Sequence, residues 1–194
     1  MALRTPPSWL QNGSHPAEND RLTMQGIIGA SGVIGSGSLA ITQLGTPGMA
    51  VQAAVGWGAL VGNYTTNMGV YNFYNDASTT LSITTANPSN PRIDLVCVTV
   101  SDAYYTGASN TVQFQVVAGV PAASPAVPAT PSMSIALAQV AVAAGATSIT
   151  TANITDVRQF ATLGLNRATD FVHTGTLSLG SLPDVLELSL MGAW

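Results

Sequence analysis

The chain has 194 residues, of which 46% are hydrophobic and only 7% are charged, and its formal net charge is −4. This length fits one domain with an arm at each end and is short for two full domains. An ordinary soluble domain is about 25% charged, and disordered chains combine low hydrophobicity with high net charge, so the composition argues against disorder. We predict a surface covered by uncharged polar groups and by other protein subunits.

The charge, the hydropathy and the single cysteine indicate which binding partners and which cellular compartment to expect for this protein. The basic residues are five scattered arginines, and there is no lysine. Phosphate binding needs clustered basic groups, so we expect no nucleic acid partner. No apolar stretch reaches the roughly 18 residues of a membrane span, and the start of the chain lacks the order of a secretory signal, so we expect no membrane partner. The sole cysteine, Cys97, has no internal disulfide partner, which indicates synthesis in a reducing cytosol.

Residues 1–37 are predicted to form an N-terminal arm and a glycine-rich loop. Prolines hold the chain extended just before Trp9 and Leu10, which we expect to contact neighbouring chains. Residues 16–24 fit one short helix. Between residues 26 and 37 glycine recurs at every third position without the prolines of collagen, which predicts an apolar loop.

Residues 38–158 are predicted to form the body, an all-β fold that we expect to be an antiparallel β-sandwich or barrel. The hydrophobic period becomes two at residue 38, and Gly, Pro and Asn turns separate short strands. The segment 92–100 is nearly all apolar or β-branched, as in a central strand covered on both faces. Residues 119–131 hold four prolines and are predicted to be a semi-extended connector.

Residues 159–194 are predicted to be a C-terminal docking or oligomerisation arm. Apolar and polar residues alternate in this segment, and the chain ends on Trp194, a large apolar group to leave in water. We expect Leu186, Leu188, Leu190 and Trp194 to contact neighbouring chains.

Two Arg/Asp pairs are predicted to form a structural network. Arg92 and Asp94 lie two residues apart and therefore on the same side of a strand, and Asp156 and Arg158 repeat this spacing. Charge-assisted hydrogen bonds within such pairs order the end of a sheet. We expect the junction between the body and the C-terminal arm to depend on these four residues.

The side chains that catalysis and metal binding require are scarce. The chain has two distant histidines and one cysteine, and it contains no Gly-x-Ser-x-Gly motif. We therefore expect no enzymatic activity, no metal ion and no cofactor. Aromatic side chains in loops can stack on sugars, and Tyr104 and Tyr105 are the candidates for such a contact.

Three segments together carry a resemblance to a known family. They are residues 7–21 (PSWLQNGSHPAENDR), residues 91–96 (PRIDLV) and the region 117–158, which holds VAGVPAASP, LAQV and ITDVR. In this order and spacing, the chain resembles the small minor tail and baseplate proteins of long-tailed bacteriophages, especially phages of actinobacteria. The resemblance covers about residues 5–158. It implies a structural role in the virion, a β-sandwich body and symmetric oligomers.

From these observations we expect a structural subunit of a phage virion, made in the host cytoplasm. It would form a homo-oligomer, a trimer or a hexamer, and attach to neighbouring tail proteins through its two arms. Two alternatives stay open. The subunit belongs to the capsid, as a decoration or head-fibre protein, or it is a carbohydrate-binding module that attaches to a host-surface glycan.

Overall fold

The described part of the chain folds mostly into antiparallel β-strands, which confirms the all-β class. The computed structural model describes residues 14, 16–106 and 109–163. Its helices are α1 (Ala17–Ile27) and α2 (Ala103–Thr106), and Thr151–Asn153 forms a 3-10 turn. The strands are β1 (Ile28–Ala30), β2 (Gly32–Ile34), β3 (Ile41–Gly48), β4 (Ala50–Ala53), β5 (Gly56–Val61), β6 (Val70–Asn75), β7 (Thr79–Ser82), β8 (Arg92–Ser101), β9 (Thr111–Val117), β10 (Ser134–Val142), β11 (Ile154–Asp156) and β12 (Thr162–Leu163).

These strands pair into four sheets within the described residues. The largest sheet has the order β11-β10-β8-β9, and two three-stranded sheets have the orders β2-β5-β6 and β3-β4-β7. The fourth sheet joins β1 to β12, which lie near opposite ends of the described chain. The finer expectation of a two-layer sandwich or a barrel stays a prediction.

Strand β8 lies at the centre of the largest sheet because both of its faces are apolar. Residues 94–98 are all buried, as the run of apolar and β-branched residues predicts. Strand β10 pairs with β8 and carries a β-bulge between Ala136 and Ala138. The bulge shifts the alternation by one residue, so that Ile135 before it and Val140 after it lie on the same face of the sheet.

Two hydrophobic clusters pack on the pair formed by β8 and β10. The first cluster lies against the β2-β5-β6 sheet, and the second lies against the β3-β4-β7 sheet. The first contains Val33, Leu39, Leu60, Met68, Val98, Val100, Met133, Ile135 and Leu137, and the second contains Val51, Ala53, Leu81, Ile83, Val96, Val140, Val142 and Ile149. Burying these side chains is the main favourable term in folding, at about 25 cal/mol per Å² of apolar surface.

The glycine-rich segment 26–37 differs from the sequence-based expectation. It contains strands β1 and β2 instead of an apolar loop. The N–H of Val33 donates to the carbonyl of Gln159 at 2.8 Å, and the N–H of Ala161 donates to the carbonyl of Val33 at 3.0 Å. The loop prediction is wrong because the partners of these strands are distant in sequence: β2 pairs with β5 and contacts residues 159–161, and β1 pairs with β12, in a region that the sequence had placed in the C-terminal arm.

Two other local predictions are confirmed. The short helix predicted over residues 16–24 is present as α1, which extends to Ile27. The proline-rich connector 119–131 contains no helix or strand. The connector is held to the body, because the N–H of Ala122 donates to the carbonyl of Pro91 at 3.0 Å.

Replacing Gly32 by alanine is expected to destabilise the protein. A Cβ atom at this position would overlap the backbone of Phe160 and lie 2.6 Å from the carbonyl oxygen of Gln159. Forcing β2 and residues 159–161 apart costs about 1–3 kcal/mol of unfolding free energy, as overpacking does elsewhere. Gly37→Ala is the matched control, because a Cβ there has no atom within 4 Å. Urea unfolding measures both variants, and equal stabilities would contradict the close approach of the two backbones.

Candidate assembly surface

Three large apolar side chains form an exposed row across the β2-β5-β6 sheet. Ile34 lies opposite Trp57, and Trp57 lies opposite Tyr74. The Trp57 and Tyr74 rings stack with centroids 4.6 Å apart and planes 27° apart. The exposed fractions of Ile34, Trp57 and Tyr74 are 43%, 56% and 57%. We refer to these three residues as the apolar ladder.

The ladder is exposed because the opposite face of the same sheet is already buried. Side chains alternate across a strand, so Val33 and Leu60 enter the first cluster while their neighbours in sequence point outward. Gly58 allows the ring of Phe73 to pack on the inner face, because the ring occupies the space that a side chain at position 58 would need. On the outer face, Ile28 and Met24 cover Ala59 and Val70, so the ladder is the apolar part of that face that stays exposed, and such exposed apolar surface is typical of an interface.

A surface depression adjoins the ladder. It has a volume of about 440 Å³ and is lined mainly by small residues, with Val55 and Trp57 on its apolar side. Val55 is 52% exposed and extends the apolar surface beyond the ladder. Asn75 supplies the polar side, and its side-chain amide donates to the carbonyl of Ala54 at 3.0 Å.

The Arg92 and Asp94 pair forms as predicted and is buried. The Nε of Arg92 donates to Asp94 Oδ1 at 2.8 Å, and the side chains are 4% and 0% exposed. Arg92 also donates to the carbonyls of Thr84 at 2.6 Å and Thr85 at 2.9 Å. Asp94 in turn accepts the N–H of Gly119 at 2.9 Å. The pair thus joins the start of β8 to the segments that follow β7 and β9.

The Asp156 and Arg158 pair also forms, at the surface. The Nη2 of Arg158 donates to Asp156 Oδ2 at 2.7 Å, and its Nη1 donates to the carbonyl of Ser38 at 2.6 Å. These hydrogen bonds lower the pKa of Asp156 below its usual value and raise the pKa of Arg158. The bond to Ser38 connects the end of the predicted body to its beginning.

The two pairs do not form one network within the described residues. Each arginine bonds its own aspartate, and no hydrogen bond or ion pair of the described side chains connects Arg92 or Asp94 with Asp156 or Arg158. The sequence therefore predicted each local pair, because a spacing of two places both side chains on one face of a strand. It did not predict their tertiary partners, which are mostly backbone carbonyls and N–H groups and carry no sequence signal.

A cluster around Arg21 was not foreseen from the sequence. The Nε of Arg21 donates to the carbonyl of Met68 at 2.8 Å, and its guanidinium lies 4.7 Å from the centre of the Tyr71 ring. The hydroxyl of Tyr71 donates to Asp102 at 2.7 Å, and Arg21 donates to the hydroxyl of Tyr105 at 3.3 Å. Burial, and next the bond to Asp102, raise the pKa of Tyr71 far above its usual value. The cluster fixes α1 to β6 and α2.

The two tyrosines suggested for sugar contact have different surroundings. Tyr104 is 85% exposed, whereas Tyr105 is partly buried against the first cluster and engaged by Arg21. Their rings meet edge to face with centroids 5.0 Å apart. Both tyrosines lie on the single turn α2. Of the two, only Tyr104 offers a free ring face to a ligand.

The remaining predictions concern the residues of the two arms, Cys97, metal binding and membrane contact. Trp9, Leu10, Leu186, Leu188, Leu190 and Trp194 lie outside the described residues. Cys97 is buried in β8, which raises the pKa of its thiol. Within residues 16–106 and 109–163, no group of three or more acidic, His or Cys side chains is placed to hold a metal ion. None of the described helices is long and apolar enough to cross a membrane.

Removing Arg92 is expected to cost far more stability than removing Arg158. Arg92→Ala leaves the fully buried Asp94 charge without its partner, which costs about 3–5 kcal/mol. Arg158→Ala leaves an aspartate that is 59% exposed to water and costs about 1–2 kcal/mol. Guanidinium unfolding gives both values. In the double variant Arg92→Met, Asp94→Leu, stability should recover relative to Arg92→Ala, and a further loss would contradict the uncompensated-charge explanation.

The Asp156 and Arg158 pair predicts a pH-dependent part of stability. The pKa of Asp156 is lower in the folded protein than its usual 3.8, so the carboxylate stabilises the fold above that pH and this contribution disappears as the pH falls through the folded pKa. The difference in unfolding midpoint between the wild type and Asp156→Asn should be constant above about pH 5 and shrink below about pH 4. A difference that stays the same from pH 6 to the acid limit would refute the pairing.

Comparison with known proteins adds no relative. No protein-family model, no curated protein and no solved structure matches the chain. We therefore base the functional proposal on the apolar ladder and on the charge of the surface.

Proposed function

We propose that this protein is a structural subunit of a bacteriophage virion, a minor tail or baseplate protein that assembles with copies of itself. In this proposal it forms a symmetric homo-oligomer, a trimer or a hexamer, and attaches to neighbouring tail proteins. It works through burial of surface and not through a chemical reaction. The single observation that carries the proposal is the apolar ladder of Ile34, Trp57 and Tyr74.

The ladder supports assembly because another subunit that covers these three side chains removes their apolar surface from water, which is favourable. Stacked aromatic rings that are more than half exposed present contiguous apolar surface, and burying such surface is worth about 25 cal/mol per Å². Tryptophan and tyrosine are also the side chains that most often dominate binding energy at interfaces. With charge at only 7% of the sequence, few ionic groups have to be desolvated when two subunits meet.

The proposed symmetry follows from the way identical subunits close an interface. A patch that meets a different patch on the next copy generates a ring when the rotation closes, which gives trimers and hexamers. The resemblance to minor tail and baseplate proteins favours such rings. Attachment to the capsid, as a decoration or head-fibre protein, is distinguished by imaging of whole particles, because antibody against this chain would then mark the capsid lattice and not the tail.

A second candidate function is contact with a host-surface glycan. It is favoured by Tyr104, which is 85% exposed and has a free ring face. Retention of the purified protein on host envelope, and loss of retention in Tyr104→Ser, would support this function. It would not conflict with assembly, because Tyr104 does not belong to the ladder.

The proposal predicts that the full chain self-associates and that the ladder contributes to it. Light scattering across a concentration series should give the mass of a trimer or hexamer. Replacing both Trp57 and Tyr74 by serine should weaken association at least about tenfold, because these two residues supply most of the apolar contact. Tyr104→Ser is the matched control, since it removes an exposed tyrosine outside the ladder. A wild-type protein that stays monomeric at every concentration would overturn the proposal.

A further inference from the structure

A groove runs between strands β6 and β9. Two depressions of about 320 Å³ and 170 Å³ lie in line along it and share Phe73 and Val112. Strand β6 lies on one side of both depressions and strand β9 lies on the other. The two strands belong to different sheets and are not hydrogen-bonded to each other. The groove is therefore bounded by the edges of two sheets, and Thr79 at the start of β7 also lines the smaller depression.

Both edges present backbone groups that point into the groove. The N–H of Gly62 donates to the carbonyl of Gly69, and the alternation of an antiparallel ladder then turns the backbone groups of Asn72 and Tyr74 away from β5. On the other side, the N–H of Val100 donates to Met133 and so faces β10. Its partner Val112 and the next alternate residue, Phe114, therefore turn their backbone groups away from β8.

Apolar side chains form the floor of the smaller depression, whereas the larger one is lined by Asn72, Ser101, Asp102, Asn110 and Thr111 as well as by apolar residues. The half-buried rings of Phe73 and Phe114 pack on the first cluster, and Leu39 and Val98 are buried beneath them. Val112 is 48% exposed on the wall of the groove. The edges offer hydrogen bonds along an extended backbone, and the floor offers contacts to every second side chain. This combination is the requirement for an added β-strand with alternating apolar residues.

We propose that residues 186–190 of a second copy of this chain insert into the groove as a β-strand. This inference rests on the proposed function, because it supplies the contact between copies. The segment Leu-Glu-Leu-Ser-Leu has apolar residues at every second position and contains no proline. As a strand it is about 17 Å long and places Leu186, Leu188 and Leu190 on the same face, toward the floor. Glu187 and Ser189 then point to solvent.

Two features favour a second copy as the source of the strand. Tyr74 belongs both to the apolar ladder and to the wall of the groove, so a neighbour that covers the ladder already lies beside the groove. The 22 residues between positions 163 and 186 span up to roughly 75 Å when extended, which is enough to leave one subunit and reach the next.

The test compares three full-length proteins: the wild type, Leu188→Asp and Ser189→Asp. Both variants add the same charge to the same segment, but only Leu188 would face the apolar floor. Light scattering gives the mass of each protein, and hydrogen exchange gives the protection of the Val112 and Phe114 amides. In the wild-type oligomer these amides should exchange roughly 100-fold more slowly than in Leu188→Asp, because they become hydrogen-bonded. Ser189→Asp should behave as the wild type.

Two measurements separate loss of the strand from loss of the fold. Exchange of the Val96 and Val98 amides in central strand β8 should be the same in all three proteins. Val112→Asp, which alters the groove and leaves the donor segment intact, should reduce association as Leu188→Asp does. Val120→Asp, at a residue that is 79% exposed and outside the groove, is its control.

Each outcome decides between the inference and the proposed function. Assembly with protection that only Leu188→Asp and Val112→Asp remove supports the inserted strand. Assembly without protection of Val112 and Phe114 overturns the inference and leaves self-assembly standing. A monomer with protected amides means that the segment occupies the groove of its own copy, which overturns both the second copy as donor and the proposed self-assembly. A monomer without protection overturns both proposals.

Discussion

The buried ion pair between Arg92 and Asp94 is the constraint on which the rest of the body depends. Four hydrogen bonds from these two side chains reach Thr84, Thr85 and Gly119, which follow β7 and β9. A buried pair of this kind adds little net stability compared with apolar residues of equal size. Its value lies in specificity, since any other register of β8 would separate the two buried charges from the carbonyls of Thr84 and Thr85 and from the N–H of Gly119. The central strand is thus held in one position under both hydrophobic clusters.

With β8 fixed, the β2-β5-β6 sheet covers one end of the central pair, and on its outer face Ile28 and Met24 bury Ala59 and Val70 while the ladder stays exposed. One face enters the first cluster and the other carries the apolar ladder. The groove between the edges of β6 and β9 adjoins the ladder, because Tyr74 belongs to both. Open edges that border an apolar groove invite pairing with another chain, and natural proteins usually block them. Here the surface shortage of lysine and glutamate leaves these edges without the charges that usually protect them.

The cluster around Arg21 shows how a charge-poor chain uses its few ionic groups. One guanidinium contacts the carbonyl of Met68, the ring of Tyr71 and the hydroxyl of Tyr105. It fastens helix α1, and Asp102 holds Tyr71 in place from the other side. The described arginines therefore act as internal fasteners between segments that are distant in sequence. This leaves few charged groups on the described surface, which favours assembly in the proposed function.

The sequence by itself determined the β class, the central position of 92–100, the proline-rich connector and the two Arg/Asp pairs. These depend on alternation and on spacing within one strand, which are local and can be read directly. Only the tertiary structure decided that β1 and β2 replace a glycine-rich loop, that Trp57 and Tyr74 stack outside the core, and that β6 and β9 border a groove. Strand partners are determined by burial and hydrogen bonding between residues far apart in the chain. In addition, the sequence does not distinguish a glycine that permits two backbones to approach closely from a glycine in a loop.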